Sequence, residues 1–347
     1  MLKRWGSAER PLGTPLDGCV LPFEVAGLYN FADMKNRASV CQIAIVAAFV
    51  FAMACYAQIK APRVARPLPE PPPLPWKSVS PPAELPGETV PMENKVVKHI
   101  LFIPKGWTPP ANGEVTLTAH FHGAYWFSIQ EHLARGLKGP LVNFDLGHGS
   151  DAYRNAFENE TAFAAVLKAV EKELQKRSGR EVRIATVDIS SFSAGYGAVR
   201  ELLKTPEYFD MIRRIVLLDS LYARYPSGER SRKVRQPARE HIEPWVPFAE
   251  AAIKGTKTFL ITYSEVPTPS YASSAETAAA LLAAVGLPGQ PVAAKSTPAA
   301  SDPQYPLLRR ADLGRFHVWG YAGKSEEAHL VHARHLSDFW LALDAAN

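Results

Sequence analysis

Cysteine is absent from most of this chain. Its three cysteines, Cys19, Cys41 and Cys55, all lie within the first 55 of 347 residues. The long body that follows therefore has no disulfide framework, no thiolate nucleophile and no cysteine ligands for a metal. A body without cysteine suits an exported protein, although it does not by itself require export.

The chain also lacks a dense run of basic residues interleaved with aromatics. Its formal net charge of +5 is small for this length, and we therefore expect no nucleic-acid partner. A glycine-rich phosphate loop is missing as well, because Gly147 and Gly149 are not followed by a third glycine and a lysine. We expect neither a cofactor nor a metal.

A long apolar stretch occurs near the N-terminus, within residues 34–57. Two basic residues precede it and small residues surround Cys55 at its end. This three-part pattern predicts a secretory signal peptide that begins at Met34. A single membrane anchor and lipid attachment at Cys55 are the alternatives. We expect a periplasmic or extracellular protein, with a membrane tether if the segment is not cleaved, and interpret residues 1–33 as a disordered upstream extension.

Residues 58–92 are rich in proline. Proline fixes φ and lacks a backbone donor, so this stretch suits neither a helix nor an inner strand. We predict an extended spacer here, followed by one catalytic domain over residues 93–347.

In that domain, apolar runs alternate with segments of helical periodicity. The strand candidates are 96–103, 115–121, 141–146, 182–189, 212–218, 258–263 and 315–320, and the helix candidates are 161–176, 194–203, 275–285 and 332–343. Strands that read as continuous apolar runs and alternate with helices indicate a parallel sheet that is covered on both faces. We predict an α/β fold in which helices flank a mostly parallel central sheet.

The stretch ISSFSAGYG, residues 189–197, joins a predicted strand directly to a predicted helix. Within it, Ser191-Phe192-Ser193-Ala194-Gly195 has small residues two positions before and two positions after Ser193. A sharp strand-to-helix turn requires this, because larger side chains would collide there. Such a turn presents Ser193 as an exposed nucleophile above the N-terminus of the following helix.

This pattern resembles the nucleophile elbow of the α/β-hydrolase fold superfamily, although Ser191 stands where most members have glycine. The resemblance extends over roughly residues 95–345 at the level of element order, and implies a three-layer sandwich and a serine, acid, histidine order along the chain. It places the histidine in the loop before the last helix. His329 fits this position best, and His317, His332 and His335 are the other candidates; a metal site is disfavoured because these histidines have no obvious further ligand.

Two residues compete for the role of the acid. The commonest arrangement of the superfamily would use Glu265, after the strand at 258–263. Some members, such as chlorophyllase-like hydrolases, take the acid from the preceding strand, which favours Asp219. We predict Asp219, because it ends a buried strand at the sheet edge where ligands of such folds are met.

The resemblance also implies an oxyanion hole built from two backbone N–H groups. One would come from Ala194, after the nucleophile, and the other from Ala124 in the stretch His122-Gly123-Ala124-Tyr125. We expect His122, Gly123, Tyr125 and His148 to line the substrate pocket.

The predicted function is therefore that of an exported serine hydrolase that cleaves a carboxylic ester, or less readily an amide, in a small-molecule or polymer substrate. The alternatives are a non-catalytic binding protein that keeps the hydrolase fold, and an amidase or peptidase that acts on cell-envelope material.

Overall fold

The computed structural model describes residues 67–93, 97–227, 235–287, 289–291 and 304–346. The predicted N-terminal extension and export segment, residues 1–57, lie outside the described residues. No helix in the described ranges is both long and apolar enough to cross a membrane.

The centre of the protein is a single sheet of ten strands within the described residues, in the order β1-β2-β4-β3-β5-β6-β7-β10-β9-β8. The strands are β1 Gly87–Glu93, β2 Lys98–Pro104, β3 Glu114–Phe121, β4 Leu141–Phe144, β5 Arg183–Phe192, β6 Ile212–Leu218, β7 Thr258–Tyr263, β8 Gln290–Pro291, β9 Leu307–Leu313 and β10 Phe316–Tyr321. The six strands from β4 to β10 in this order are mutually parallel, and antiparallel strands extend the sheet at both edges.

Helices connect the strands and cover the sheet. They are α1 Tyr125–Ala134, α2 Ser150–Phe157, α3 Thr161–Ser178, α4 Tyr196–Leu202, α5 Pro206–Met211, α6 Arg239–Ile242, α7 Val246–Ile253, α8 Ser274–Ala284, α9 Glu326–Arg334 and α10 Leu336–Ala345, with short 3₁₀ turns at Ser193–Gly195 and Glu243–Trp245. The predicted α/β fold with a mostly parallel central sheet is confirmed.

Strand β6 shows how the two faces of the sheet are filled. Ile215 and Leu217 belong to a large core that also contains buried residues of α3, α4 and α7. Val216 and Leu218 belong to a second core that contains residues of α9 and α10. Since successive strand residues point to opposite faces, a continuous apolar run can be buried on both sides, which is why this strand was recognisable from the sequence.

The structure corrects the prediction that residues 58–92 form only a spacer. Strand β1 lies within this range and pairs with β2. The segment before it, residues 69–77, packs on the domain, where Leu74 is 2% exposed among residues of α9 and α10. The Tyr321 hydroxyl donates to the carbonyl of Pro72 at 3.0 Å. Proline prevents helix here, but it does not prevent burial of an extended chain.

The last helical region also differs from the prediction of one helix at 332–343. Two helices occur, α9 and α10, which meet at His335. Helix α9 begins at Glu326, where the Ser325 hydroxyl accepts from the Ala328 N–H. His329 therefore lies in the first turns of a helix and not in the loop before it.

Candidate active site

Three strained residues lie at the carboxyl ends of neighbouring central strands. Four non-glycine residues in the described ranges have positive φ, and three of them, His122, Ser193 and Asp219, directly follow β3, β5 and β6 with φ of 74°, 45° and 43°. These strands are parallel neighbours, so their carboxyl ends lie side by side. Backbone strain of this kind concentrates at functional sites, where the surrounding structure maintains it.

The turn at Ser193 is as tight as the sequence predicts. A Cβ on Gly195 would lie 2.3 Å from the carbonyl oxygen of Phe121 and 2.7 Å from the Ser191 hydroxyl, distances that no side chain tolerates. Gly197 is needed for the same reason, because its Cβ would meet the Ser150 carbonyl oxygen at 2.4 Å. Small residues therefore allow the turn to pack against β3 and α2, and leave Ser193 half-buried at its tip.

Ser220 supports this turn through two hydrogen bonds. The Ser220 hydroxyl donates to the carbonyl of Ser193 at 2.8 Å and lies 2.7 Å from the Ser191 hydroxyl. Ser220 and Ser191 are both fully buried. The Ser193 side chain itself makes no hydrogen bond to any described residue, which leaves its hydroxyl available to a reacting partner.

His329 and Asp219 form a hydrogen-bonded pair in which Asp219 is buried and His329 is partly exposed. The His329 Nδ1 lies 2.8 Å from Asp219 Oδ2, and the two side chains are 19% and 1% exposed. Burial alone would raise the pKa of Asp219, but the hydrogen bond from His329 and the nearby His332 and Ser264 lower it to about 2. An ionised carboxylate can only accept, so Nδ1 donates to it, and in the neutral imidazole Nε2 is then the acceptor.

The His329 ring is placed next to the serine turn by stacking. Phe192, the residue before Ser193, stacks on His329 with ring centroids 4.6 Å apart. On its other side, Phe192 stacks on His122 at 5.9 Å. The histidine after β3, the end of β5 and helix α9 are thereby tied together around Ser193.

The other candidate histidines have partners elsewhere. His332 Nδ1 lies 2.8 Å from the Thr262 hydroxyl, and burial lowers its pKa to about 4. His335 lies 2.6 Å from Asp338 Oδ2 and 2.7 Å from the carbonyl of Pro75. His317 lies 2.6 Å from Asp312. In the described residues no cluster of histidine, cysteine, aspartate and glutamate is arranged to hold a metal.

Glu265, the alternative acid, is directed away from the pair. It is exposed, and its N–H and carboxylate bond the backbone of Gly323 at 2.9 Å and 3.3 Å. Glu265 therefore links the end of β7 to the loop before α9, while His329 bonds Asp219.

The predicted oxyanion loop follows β3. Gly123 has φ of 130°, which favours glycine, and its carbonyl accepts from the Asn143 amide at 3.1 Å. Ala124 precedes α1 as its N-cap residue, and Ala194 lies in the 3₁₀ turn that leads into α4. The first N–H groups of a helix have no intrahelical acceptor, so these positions suit donors to an oxyanion.

The remaining predicted pocket residues occupy the same edge of the sheet. His122 lies 2.8 Å from the Tyr153 hydroxyl, and burial lowers its pKa, an effect that Asp145 opposes. Tyr125 is 41% exposed, and His148 is exposed in the loop after β4. His122 is thus anchored, whereas Tyr125 and His148 are open to solvent.

Two residues at the site were missed by the sequence analysis. The Ser264 hydroxyl donates to Asp219 Oδ2, and the Ser274 hydroxyl donates to Asp219 Oδ1. Ser264 directly follows β7, a position at which the sequence could have indicated it, but only Glu265 beside it was considered, as the alternative acid. Ser274 opens α8, 55 residues after Asp219, and nothing in the local sequence links the two.

The strand order and the helices that cover both faces of the mostly parallel sheet define the architecture. The fold is α/β-hydrolase-like. No family profile matches the chain, and no curated protein matches it in sequence.

Solved structures with a similar arrangement include three esterases. A carboxylesterase from Bacillus subtilis is 7% identical with a TM-score of 0.39, over 74% of this chain and 91% of that chain. Carboxyl esterase 2 from the fungus Tuber melanosporum is 13% identical with a TM-score of 0.42, over 85% and 96%. A feruloyl esterase module from Clostridium thermocellum is 11% identical with a TM-score of 0.41, over 76% and 89%. TM-scores this low carry no functional assignment, which has to come from the geometry of the site.

Proposed function

We propose that this protein is a serine hydrolase that cleaves carboxylic esters through an acyl-enzyme on Ser193. The observation that carries the proposal is the His329–Asp219 pair beside a serine in a strained strand-to-helix turn. A serine hydroxyl becomes a useful nucleophile only when a neighbouring imidazole accepts its proton, and a carboxylate that fixes the tautomer of the imidazole completes the arrangement.

In the proposed reaction, Ser193 Oγ attacks the ester carbonyl carbon while His329 Nε2 takes the hydroxyl proton. The carbonyl oxygen becomes an oxyanion and accepts from the N–H groups of Ala124 and Ala194. The tetrahedral intermediate expels the alcohol, which leaves with the proton from His329. Water then attacks the acyl-enzyme by the same route, and releases the acid and free Ser193.

Labelling with a fluorophosphonate tests this proposal. We expect the wild-type protein to be labelled at Ser193 and to hydrolyse short p-nitrophenyl esters, because the probe reacts only with an activated serine. Ser193→Ala should abolish labelling and lower kcat by roughly a thousandfold or more, with unchanged circular dichroism. Ser337→Ala, at a buried serine whose hydroxyl bonds Glu131, controls for the loss of a hydroxyl.

Labelling at another residue, or ester turnover that survives in Ser193→Ala, would overturn the assignment. A wild-type protein that folds but shows neither labelling nor turnover would favour the non-catalytic binding protein. Amide substrates of the same acyl length, tested in parallel, distinguish an esterase from an amidase of cell-envelope material. Export remains part of the proposal and rests on residues 34–57 alone.

A further inference from the structure

We propose that Ser264 and Ser274 are positioning residues of the hydrolase, which hold the carboxylate of Asp219 ionised and directed at His329. This inference rests on the proposed function, and concerns residues that do not touch the substrate. It would explain how an acid that follows β6, rather than β7, serves the histidine.

The first support is the complete enclosure of Asp219. The residue is 0% exposed, and a buried carboxylate without hydrogen bonds would take up a proton and cease to orient an imidazole. Its Oδ1 accepts from Ser274, while its Oδ2 accepts from Ser264 and His329. Two neutral hydroxyls therefore supply the donors that solvent would otherwise provide.

The second support is the origin of these donors in different elements. Asp219 follows β6, Ser264 follows β7, Ser274 begins α8 and His329 lies on α9. The N–H of Asp219 also donates to the Thr262 carbonyl at 2.9 Å. The backbone bond and the φ of 43° fix the main chain at Asp219, and the three donors leave the carboxylate little freedom to rotate away from His329.

The third support is the set of titratable groups around Asp219. The titratable groups that face Asp219 are His329, His332 and Tyr222. His332 is buried and bonds Thr262. Burial first, and the charge of Asp219 second, raise the pKa of Tyr222 well above its usual value. Within the described residues Asp219 has no arginine or lysine partner, so the two serines are its main support besides histidine.

Kinetics of single variants test the proposal. Ser264→Ala and Ser274→Ala should each lower kcat by about tenfold, the typical effect of one hydrogen bond to a charged group, and leave KM nearly unchanged. Ser274→Thr should restore most of the activity, because it keeps the hydroxyl. Ser273→Ala is the matched control: this neighbouring serine caps the same helix, but bonds Glu276.

Wild-type kcat in both alanine variants would overturn the proposal. So would an equal loss in Ser273→Ala, which would show that the integrity of α8 matters and not the bond to Asp219. Failure of Ser274→Thr to recover activity, with its fold intact, would argue against the hydroxyl as the functional group.

A second measurement does not require activity. In Ser264→Ala, the pKa of Asp219 should rise. The variant should therefore be less stable than the wild type at pH 7, and this difference in the free energy of unfolding should shrink as the pH falls from about 4 towards 2. In Ser128→Ala, where the lost hydroxyl bonds the neutral Asn143 and Tyr125, the loss should stay constant. A constant loss in Ser264→Ala would overturn the claim about ionisation. If the wild type proves inactive, the proposed function fails, while this measurement still decides whether Ser264 keeps Asp219 charged.

Discussion

At the scale of single residues, the acid of the proposed triad is the assignment that the sequence left most open. Asp219 and Glu265 both follow buried strands, and sequence alone cannot tell which carboxylate turns inward. The structure distinguishes them by burial, since Asp219 is enclosed and bonded to His329 while Glu265 is exposed and bonded to Gly323. Removing the charge of each residue should therefore have a different effect on kcat.

Asp219→Asn should lower kcat by on the order of a thousandfold or more, because the amide no longer fixes the tautomer of His329. Glu265→Gln keeps the size and the backbone contact of the side chain, so we expect kcat within about threefold of wild type. Steady-state hydrolysis of p-nitrophenyl esters at pH 7 to 8 measures both. A severe defect in Glu265→Gln with a mild one in Asp219→Asn would reverse the assignment.

At the scale of elements, the central strands could be predicted and the edge strands could not. Strands β6 and β7 were predicted with the bounds that the structure shows, because the last four residues of β6 form a buried apolar run and all six residues of β7 are buried. Strand β1 contains Pro91 and has no buried residue, and strand β9 has charged residues at its centre and one buried residue, Ala311. Their patterns therefore resemble loops. Position in the sheet, which sequence does not reveal, makes them strands.

The start of helix α9 was missed although a signal was present. Ser325 is an N-cap residue, and Glu326 and Glu327 occupy the first turn, where acidic side chains favour the helix dipole. The glycine and the polar residues of the preceding stretch concealed this start. The consequence for the site is direct, since a helix holds His329 more rigidly than a loop would.

The segment of residues 69–77 differs most between the sequence-based prediction, an extended spacer, and the structure, in which it packs on the domain. Trp76 stacks on the guanidinium of Arg334 at 3.6 Å, and the Pro75 carbonyl lies 2.7 Å from His335. These contacts hold both α9 and α10. The segment therefore contributes to the stability of the domain and supports the helix that carries His329.

Leu74→Ala should lower the free energy of unfolding by about 2 to 5 kcal/mol, as expected for a buried leucine that leaves a cavity. Leu68→Ala, at a leucine that is 55% exposed and directly precedes this segment, should change it by less than about 0.5 kcal/mol. Urea unfolding followed by tryptophan fluorescence compares the two. Equal, small effects would mean that the segment does not pack in solution.

At the scale of the whole molecule, buried histidines set the response to acid. His120, His132 and His332 are each less than 5% exposed, and burial foremost lowers the pKa of each to about 4. In the unfolded chain they titrate near their ordinary value of about 6.5. The unfolded state therefore binds more protons between these two values, and stability falls as the pH drops through this range.

We expect the free energy of unfolding to be highest above about pH 6.5 and to fall by several kcal/mol between pH 6.5 and 4. The loss should precede that caused by Asp219, whose lowered pKa places its contribution between about pH 4 and 2. Urea unfolding at intervals of half a pH unit measures the profile. A stability that is constant from pH 7 to 4.5 would contradict the burial of neutral histidines.

Asp219 follows β6 and Glu265 lies just after β7, and these two strands are adjacent, with Leu218 paired to Thr262. Neighbouring strands lie about 4.8 Å apart. Carboxylates thus stand at two successive strand ends, one engaged with the histidine and the other tied to the loop that leads towards it. A carboxylate can therefore approach His329 from either strand end, and burial separates the two residues, since Asp219 is enclosed and Glu265 is exposed.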